Sequence, residues 1–446
     1  NPPLNIESLL FLFYVRNHIF CWVIRVLDGV KTGLVLLLVF FIVFNANLKD
    51  VTSGDTIAVK HLPASILLEG DLDLNEFGDL RGVYGHGIHY RDGRMLSGFP
   101  PLMAFLALPF YIPFILSGLT SPLFLHVAAK IAASSFTAAS AALMYLLLRE
   151  HCVRRDALLL STSLAFGTCF FSVLSQDLWQ HTGAVFFLSI YLLLLHKSKS
   201  NINLLIPAGA SLGLAVAFRN PVVVYTPVLV GLTWFKSKSV KWSVGFAASL
   251  AIPILLLALF NLQVYDSVFG AYERNTSAGK WSVSPQAFLG LLASPSRGLF
   301  IYTPFLLFML LAAKPAFYAD RHLASTSILL LLFHTLLYSS FFHWWAGHSY
   351  GPRYMSETLP FLVLFLGLGF DGIKHNRFAR KIFLFAVAAS ILIHFIGAFC
   401  YDGSWNIGGQ AGCSVDECPE RLWSLGDSQI LFYLKHPRIH VYKWTL

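Results

Sequence analysis

Long apolar stretches, each close to twenty residues, alternate with short polar connections along most of this 446-residue chain. An α-helix of about 20 residues crosses the ~30 Å hydrocarbon core of a bilayer. Lipid offers the backbone no hydrogen-bond partners, and the period-two alternation of membrane strands is absent, so these stretches are predicted to be helices. The predicted spans are residues 30–46, 123–148, 157–176, 182–196, 203–219, 222–235, 242–264, 300–314, 323–342, 358–372 and 381–400.

Two further apolar segments are predicted not to cross the membrane. Residues 8–27 contain Arg16 and Arg25, and this segment is interpreted as an amphipathic helix on the cytoplasmic surface, where arginine side chains can reach the headgroups. Residues 100–119 contain four prolines, which lack the N–H that a continuous helix uses. They are interpreted as broken helices lying along the outer face.

Basic residues fall in alternate connections and predict the orientation of the spans. If residues 100–119 do not cross, all of these connections lie on one side, which should be the cytoplasmic side. Eleven spans result, with the N-terminus inside and the C-terminus outside. The basic residues are Arg149, Arg154, Arg155, Lys197, Lys199, Lys236, Lys238, Lys241, Lys314, Arg321, Lys374, Arg377, Arg380 and Lys381.

Composition favours an all-α polytopic membrane protein over a soluble one. The chain is 56% hydrophobic and only 12% charged, with a mean hydropathy of +0.65. Its net charge of +9 is scattered between apolar runs, so nucleic acid is not an expected partner. We expect an interfacial segment at 1–29, a transmembrane domain at 30–400 with outer loops at 47–122 and 265–299, and an outer tail at 401–446. The expected location is a prokaryotic plasma (inner) membrane.

This orientation places most of the polar sequence on the outer face. The first outer loop is acidic, and Asp55 follows the first span by only a few residues. Ionisable groups at the membrane are costly and are therefore functional candidates. For the other acidic residues of this loop, the alternative is that they are solvated surface side chains without a specific function. These residues are Asp50, Glu69, Asp71, Asp73, Glu76, Asp79 and Asp92.

Several short motifs on this face carry a resemblance to a known family. In chain order they are Asp55, Glu69-Gly70-Asp71, Gly98-Phe99-Pro100-Pro101-Leu102, Asp177, Arg219 and Gly351-Pro352-Arg353-Tyr354. Together they resemble GT-C membrane glycosyltransferases of the protein O-mannosyltransferase and aminoarabinose-transferase branch. The resemblance implies transfer of a sugar from a polyprenyl-phosphate donor to a glycan, lipid or protein acceptor, with inversion. One departure is that aminoarabinose transferases carry a lysine where Gly98 and Phe99 stand here.

The chemistry of such a transfer assigns roles to particular side chains. An acceptor hydroxyl needs a general base, for which the Asp55 carboxylate is suitable. A departing lipid phosphate needs fixed cations, preferably arginine because of its planar fork of donors. Headgroup anchoring is the alternative role for Arg219. The predicted donor-phosphate site comprises Arg353, Arg219, Arg297 and Tyr354.

A second group of residues is predicted to form the acceptor pocket. Asp177 and His181 are four residues apart and would share one face of a helix. No cofactor is certain, and a divalent metal held by Asp55, His86 and His89 is left open because further ligands cannot be assigned. The predicted acceptor pocket comprises Asp71, Asp177, His181, His86 and His89.

The polar C-terminal tail contains two cysteines five positions apart, Cys413 and Cys418. On the outer side of a membrane the environment is oxidising, and residues at this spacing can reach the separation that a disulfide requires. A disulfide between them is therefore predicted.

Two alternative functions remain open at the level of sequence. A transporter or flippase for lipid-linked sugars is disfavoured because few charges lie within spans and no inverted repeat is evident. A non-catalytic member of a membrane complex would keep the scaffold without an intact site. The missing lysine keeps this second alternative open. Membrane lipids are expected partners in every case.

Overall fold

The computed structural model describes residues 28–80, 87–271, 282–409 and 411–437, which form a bundle of helices with one small two-stranded sheet. The strands are β1 Ile88–Arg91 and β2 Arg94–Ser97, paired antiparallel with Ile88 opposite Ser97. The helices are α1 Asp28–Asn45, α2 Gly54–Leu68, α3 Leu102–Leu116, α4 Pro122–Leu148, α5 Arg154–Phe166, α6 Gln180–Lys197, α7 Leu205–Phe218, α8 Thr226–Ser237, α9 Val240–Tyr265, α10 Pro285–Ala293, α11 Leu299–Tyr302, α12 Met309–Ser339, α13 Leu359–Leu368, α14 Asp371–Lys374, α15 Arg377–Cys400 and α16 Gln429–Lys435.

Five helices within the described ranges are long and apolar enough to cross a bilayer. They begin and end at Asp28–Asn45, Pro122–Leu148, Val240–Tyr265, Pro304–Ser339 and Arg377–Cys400. The outer surface of the bundle is apolar, as Leu255, Leu256 and Leu259 show on α9, where each side chain is exposed. Such a surface suits lipid rather than water. The prediction of an all-α membrane protein is confirmed, and the count of eleven spans stays a prediction.

A break at Asp320 divides one long helical stretch. Residues 300–314 and 323–342 were predicted as separate helices, and the stretch Pro304–Ser339 divides between them at Asp320, where φ of −154° and ψ of 93° are not helical. The Asp320 carboxylate accepts the Leu323 N–H at 3.0 Å, so it starts the second half. Residues 8–27 lie outside the described residues.

The proline-rich segment 100–119 is not broken, contrary to the prediction. It forms the single helix α3, which keeps Pro109 and Pro113 in its interior. Each proline removes one N–H from a helix, and packing compensates here. Tyr111 is buried on α3 and donates its hydroxyl to the Lys60 carbonyl of α2 at 2.7 Å. The prediction that this segment lies along the outer face stays a prediction.

Close helix packing fixes the position of α7. Gly209 and Gly213 lie four residues apart on α7 and face the backbone of α9. A Cβ at Gly209 would lie 2.3 Å from the Phe246 carbonyl oxygen, and one at Gly213 would lie 2.2 Å from that of Leu250. Small residues at this spacing let membrane helices approach closely. Arg219, directly after α7, is therefore held by a rigid pair of helices.

Candidate functional site

Asp55 lies in the first turn of α2, where the helix dipole favours a carboxylate. The side chain of Thr56 fixes this turn. The Ser53 N–H donates to Thr56 Oγ1 at 3.0 Å, and the Thr56 hydroxyl donates to Asp177 Oδ2 at 2.6 Å. The start of α2 is thereby tied to Asp177, which holds Asp55 in place.

Arg353 contacts the Asp55 carboxylate across the site. Its Nη1 lies 2.5 Å from Asp55 Oδ2, and its Nη2 donates to the Ala346 carbonyl at 2.8 Å. The guanidinium carbon lies 4.3 Å from the centre of the Trp179 ring. Its Nε has no hydrogen-bond partner among the described residues. The Asp55 side chain is 29% exposed and that of Arg353 only 6%, so the carboxylate forms the open side of the pair.

The backbone before Arg353 explains how this side chain reaches the site. Gly351 has φ of +60°, a conformation that favours glycine, and a Cβ there would lie 2.7 Å from the Tyr302 ring. Its N–H donates to Gln429 Oε1 at 2.9 Å. The turn leads into the short 3₁₀-helix Arg353–Thr358, which begins with Arg353 itself. The Gly-Pro-Arg-Tyr motif thus sets the position of the guanidinium.

Arg219 also lies close to the Tyr354 ring. The Arg219 guanidinium carbon is 5.6 Å from the centre of this ring, and that of Arg353 is 5.4 Å from it. Arg219 Nη2 also donates to the Tyr338 hydroxyl at 2.9 Å. The structure therefore brings together Asp55, Arg353, Arg219 and Tyr354, which are distant in sequence.

The two arginines control the charge state of Asp55. Burial alone would raise the pKa of this carboxyl, but the Arg353 guanidinium, assisted by Arg219, holds the pKa of Asp55 below its usual range. Asp55 is therefore ionised at neutral pH. While it is paired with Arg353, it is also a weaker base than a free carboxylate.

A buried imidazole–carboxylate couple adjoins this group. His181 Nδ1 lies 2.6 Å from Glu357 Oε1, and the same oxygen lies 3.9 Å from Arg219 Nε. Burial, partly offset by His334 and Arg219, raises the pKa of Glu357. His181 was predicted from the sequence and Glu357 was not. Glu357 directly precedes the predicted span 358–372. A carboxylate at the edge of a span is a functional candidate, and this signal could have identified it.

Asp177 lies beneath the site in a buried ionic cluster. Its Oδ2 is 2.8 Å from Lys60 Nζ, and its Oδ1 accepts the Leu178 N–H at 2.9 Å. Lys60 also contacts Asp50 Oδ2 at 2.7 Å. Because Asp177 is fully buried and both of its oxygens have protein partners, we remove it from the predicted acceptor pocket. It positions α2 instead.

Among the other predicted acceptor residues, Asp71 lies away from Asp55. Asp71 follows the C-terminal end of α2 and accepts the Ser65 hydroxyl at 3.0 Å. With a rise of about 1.5 Å per residue, the fifteen residues of α2 place it roughly 20 Å from Asp55. His89 lies on β1 with its ring centre 5.6 Å from that of Tyr265, and His86 lies outside the described residues.

A divalent metal held by Asp55, His86 and His89 stays a prediction, because His86 lies outside the described residues. Within the described ranges, no group of three or more histidine, cysteine, aspartate or glutamate side chains is arranged to hold an ion. The Asp55 carboxylate is occupied by Arg353. No step is assigned to a metal below.

Arg297 does not belong to this site. It is buried, and all five of its N–H donors have acceptors within the protein. A guanidinium that is saturated in this way cannot also hold a phosphate, so we withdraw Arg297 from the predicted donor site. The acceptors are the carbonyls of Trp345, Ser296 and Gly347 and the side-chain oxygens of Gln429 and Asn406.

The cluster around Arg297 includes the C-terminal tail. Cys413 and Cys418 are joined by a disulfide, with their Cα atoms 6.1 Å apart. The Cys413 carbonyl accepts a hydrogen bond from Arg421 Nη1 at 2.7 Å. The Arg421 guanidinium lies 4.6 Å from the centre of the buried Trp405 ring.

A cavity of about 340 Å³ opens beside Arg219. Its volume lies in the ~300–1,000 Å³ range of small-molecule sites. Some of its walls reach the lipid-facing surface, since Val223 and Phe269 are exposed. The walls are mostly apolar, with Val223, Val224, Phe269, Leu337 and Phe341, and the polar side chains are Arg219, Asn220, Tyr338 and Tyr354.

Comparison with known proteins gives a likeness of fold. No protein-family model matches the chain, and no curated protein matches it. ArnT from Cupriavidus metallidurans, solved with bound undecaprenyl phosphate, superposes with a TM-score of 0.50 at 13% identity, over 83% of this chain and 71% of that one. An oligosaccharyltransferase from Archaeoglobus fulgidus gives 0.49 at 14% identity, over 88% of this chain. The chain spans 59% of the length of that protein.

Proposed function

We propose that this chain, which has the fold of GT-C membrane glycosyltransferases, moves a sugar from a polyprenyl-phosphate donor to an acceptor. The observation that carries the proposal is the grouping of Asp55, Arg353 and Arg219 around Tyr354, beside an apolar cavity. A carboxylate and two guanidiniums are the groups that such a transfer requires. The acceptor is a glycan, a lipid or a protein.

The donor is assigned to the apolar cavity. Isoprenoid chains suit its aliphatic and aromatic walls, and the phosphate would lie at its polar end against Arg219. Arg353 does not line the cavity, but its guanidinium lies 5.4 Å from the ring of Tyr354, which does, so the phosphate would reach Arg353 past this ring. ArnT, which shares the fold, was solved with undecaprenyl phosphate bound. Two arginines at this point supply the cationic groups that the missing lysine beside Phe99 would otherwise provide.

The acceptor is assigned to the open side of Asp55. Its carboxylate takes the proton of the acceptor hydroxyl as the oxygen bonds to the anomeric carbon of the sugar. The bond from that carbon to the phosphate oxygen breaks, and polyprenyl phosphate leaves with the bonding electrons. The arginines balance the developing negative charge. A single displacement of this kind inverts the anomeric centre.

The site is proposed to face the exterior or periplasm. The basic connections that contain Arg154 and Lys381 would then be cytoplasmic. A cysteine introduced at the exposed Arg155 should resist an impermeant maleimide in intact cells, while one introduced at the exposed Glu69 should react. Rapid labelling at position 155 in intact cells would contradict this orientation.

The decisive experiment measures sugar transfer from a panel of radiolabelled polyprenyl-phosphate sugars. Asp55→Asn keeps the shape of the side chain and removes the base, so we expect the rate to fall by ~10²–10⁴-fold. Glu69→Gln is the matched control, since it removes one charge at the far end of the same helix. Full transfer by Asp55→Asn would remove Asp55 from the mechanism. An inactive wild type that binds no polyprenyl phosphate would refute the proposed function.

A further inference from the structure

The ion pair between Arg353 and Asp55 occupies groups that the donor phosphate needs. Arg353 Nη1 contacts Asp55 at 2.5 Å and Nη2 donates to the Ala346 carbonyl at 2.8 Å. Among the described residues, Nε is the nitrogen of this guanidinium without a partner. A bidentate phosphate contact uses two neighbouring nitrogens of a guanidinium. Each Nη carries a second N–H, so a phosphate that binds the edge formed by Nη1 and Nη2 shares Nη1 with Asp55, and the two anions repel each other across that nitrogen.

We propose that the donor phosphate displaces Asp55 from Arg353, so that binding of the donor releases the general base. This inference rests on the proposed function and adds an order to it, with the donor bound before the acceptor is deprotonated. No covalent bond changes in this step. Arg353 exchanges one anion, the carboxylate, for another, the phosphate.

The surroundings of the pair identify Asp55 as the partner that leaves. Arg353 is buried, stacks on Trp179 and is tied to the Ala346 carbonyl, so its position is fixed by the protein. Asp55 is 29% exposed, and water can hydrate its carboxylate once it is released. A carboxylate at this position loses little when the pair opens, whereas a buried guanidinium would lose much.

The exchange has a consequence for catalysis. Paired with Arg353, Asp55 is a poor proton acceptor, because the guanidinium stabilises its charged form. Once phosphate neutralises Arg353, that stabilisation weakens and Asp55 becomes more basic. The base therefore becomes effective only when a donor is present to be attacked. An acceptor that arrives first meets a carboxylate that is already occupied.

The test measures binding of undecaprenyl phosphate to purified protein in detergent, without any sugar or acceptor. Asp55→Asn removes the competing anion and should bind the lipid roughly fivefold more tightly, the scale expected for a partly exposed ion pair. Arg353→Gln should bind it more weakly. Removal of any nearby negative charge could tighten binding, so the double variant is decisive. In the Arg353→Gln background, Asp55→Asn should change the affinity by less than about twofold.

Each alternative result has a distinct meaning. Glu69→Gln should bind like the wild type, because about 20 Å of helix separates it from the site and salt screens it. Equal or weaker binding by Asp55→Asn than by the wild type overturns the exchange alone. If Asp55→Asn changes the affinity for the lipid by the same factor in the Arg353→Gln background as in the wild type, the exchange is also overturned. Repulsion between Asp55 and the phosphate would then explain the effect without Arg353. Absence of saturable binding by the folded wild type overturns the exchange together with the proposed function.

Discussion

Two buried arginines, Arg353 beside Asp55 and Arg297 beneath the C-terminal tail, have similar surroundings and different partners. Each lies against a tryptophan ring, Arg353 at 4.3 Å from Trp179 and Arg297 at 5.4 Å from Trp405. Arg297 donates all five of its hydrogens to neutral oxygens of the protein. Arg353 donates to one carbonyl and to a partly exposed carboxylate.

The number of satisfied donors separates a structural arginine from one that can bind a ligand. A buried cation whose hydrogen bonds are all made stabilises the fold and has no capacity left for a substrate. A cation with an exchangeable partner contributes less to stability and keeps its affinity for anions. Position in the sequence could not separate the two residues, because both follow small residues and proline in polar connections on the same predicted side.

The largest effect that tests this contrast is expected at Arg297. Arg297→Gln would leave several buried carbonyls without donors, and we expect the free energy of unfolding to fall by about 3 kcal/mol. Arg353→Gln removes a partly exposed ion pair and should lower the free energy of unfolding by about 1 kcal/mol. Unfolding midpoints of both variants in detergent measure the difference. Equal destabilisation would remove the distinction between the two arginines.

The next effect concerns binding rather than stability. Arg353→Lys keeps the charge but cannot form a bidentate phosphate contact, and we expect undecaprenyl phosphate to bind roughly tenfold more weakly. Arg297→Lys is the matched control, because the same change beneath the tail should leave lipid binding by the folded fraction unaltered. Weaker binding by the folded fraction of Arg297→Lys would return Arg297 to the donor site.

The sequence predicted the class of fold and part of the site for identifiable reasons. Apolar runs of membrane length report helices directly, and Asp55, Arg219, Arg353 and Tyr354 lie in short polar connections between them. The count of eleven spans stays a prediction, because five helices of the described residues have the length and hydropathy of a span and several of the predicted spans are shorter helices.

What the sequence could not provide was the set of long-range partners. Glu357 precedes an apolar run by one residue, and its partner His181 lies 176 positions away. Asp71 was predicted to belong to the acceptor pocket, although helix α2 carries it away from Asp55. The sequence also could not show that Arg297 has acceptors in three distant segments, which argue against its predicted role in the donor site.

A local effect is expected from the disulfide of the tail. Cys413→Ser opens a short loop whose closure contributes about 2 kcal/mol, and we expect the loss to be confined to the tail around Trp405 and Arg421. Hydrogen exchange should rise there while undecaprenyl phosphate affinity stays unchanged. Cys418→Ser should reproduce the result, and the double variant should add nothing. Loss of lipid binding would show that the tail and the site around Asp55 are coupled. That result would contradict the distinction between a structural Arg297 and a ligand-binding Arg353.

The smallest effect is expected from pH acting on the pair of Asp55 and Arg353. A carboxyl whose pKa is lowered on folding contributes stability above its unfolded pKa of about 3.9, and this contribution is lost as pH falls through the folded value. Because Asp55 is 29% exposed, we expect at most about 1 kcal/mol. The stability difference between wild type and Asp55→Asn should therefore be constant from about pH 5 to 8 and should shrink only below about pH 4. A difference that grows between pH 6 and 8 would mean that Asp55 is still titrating there, and the arginine would not then control its charge.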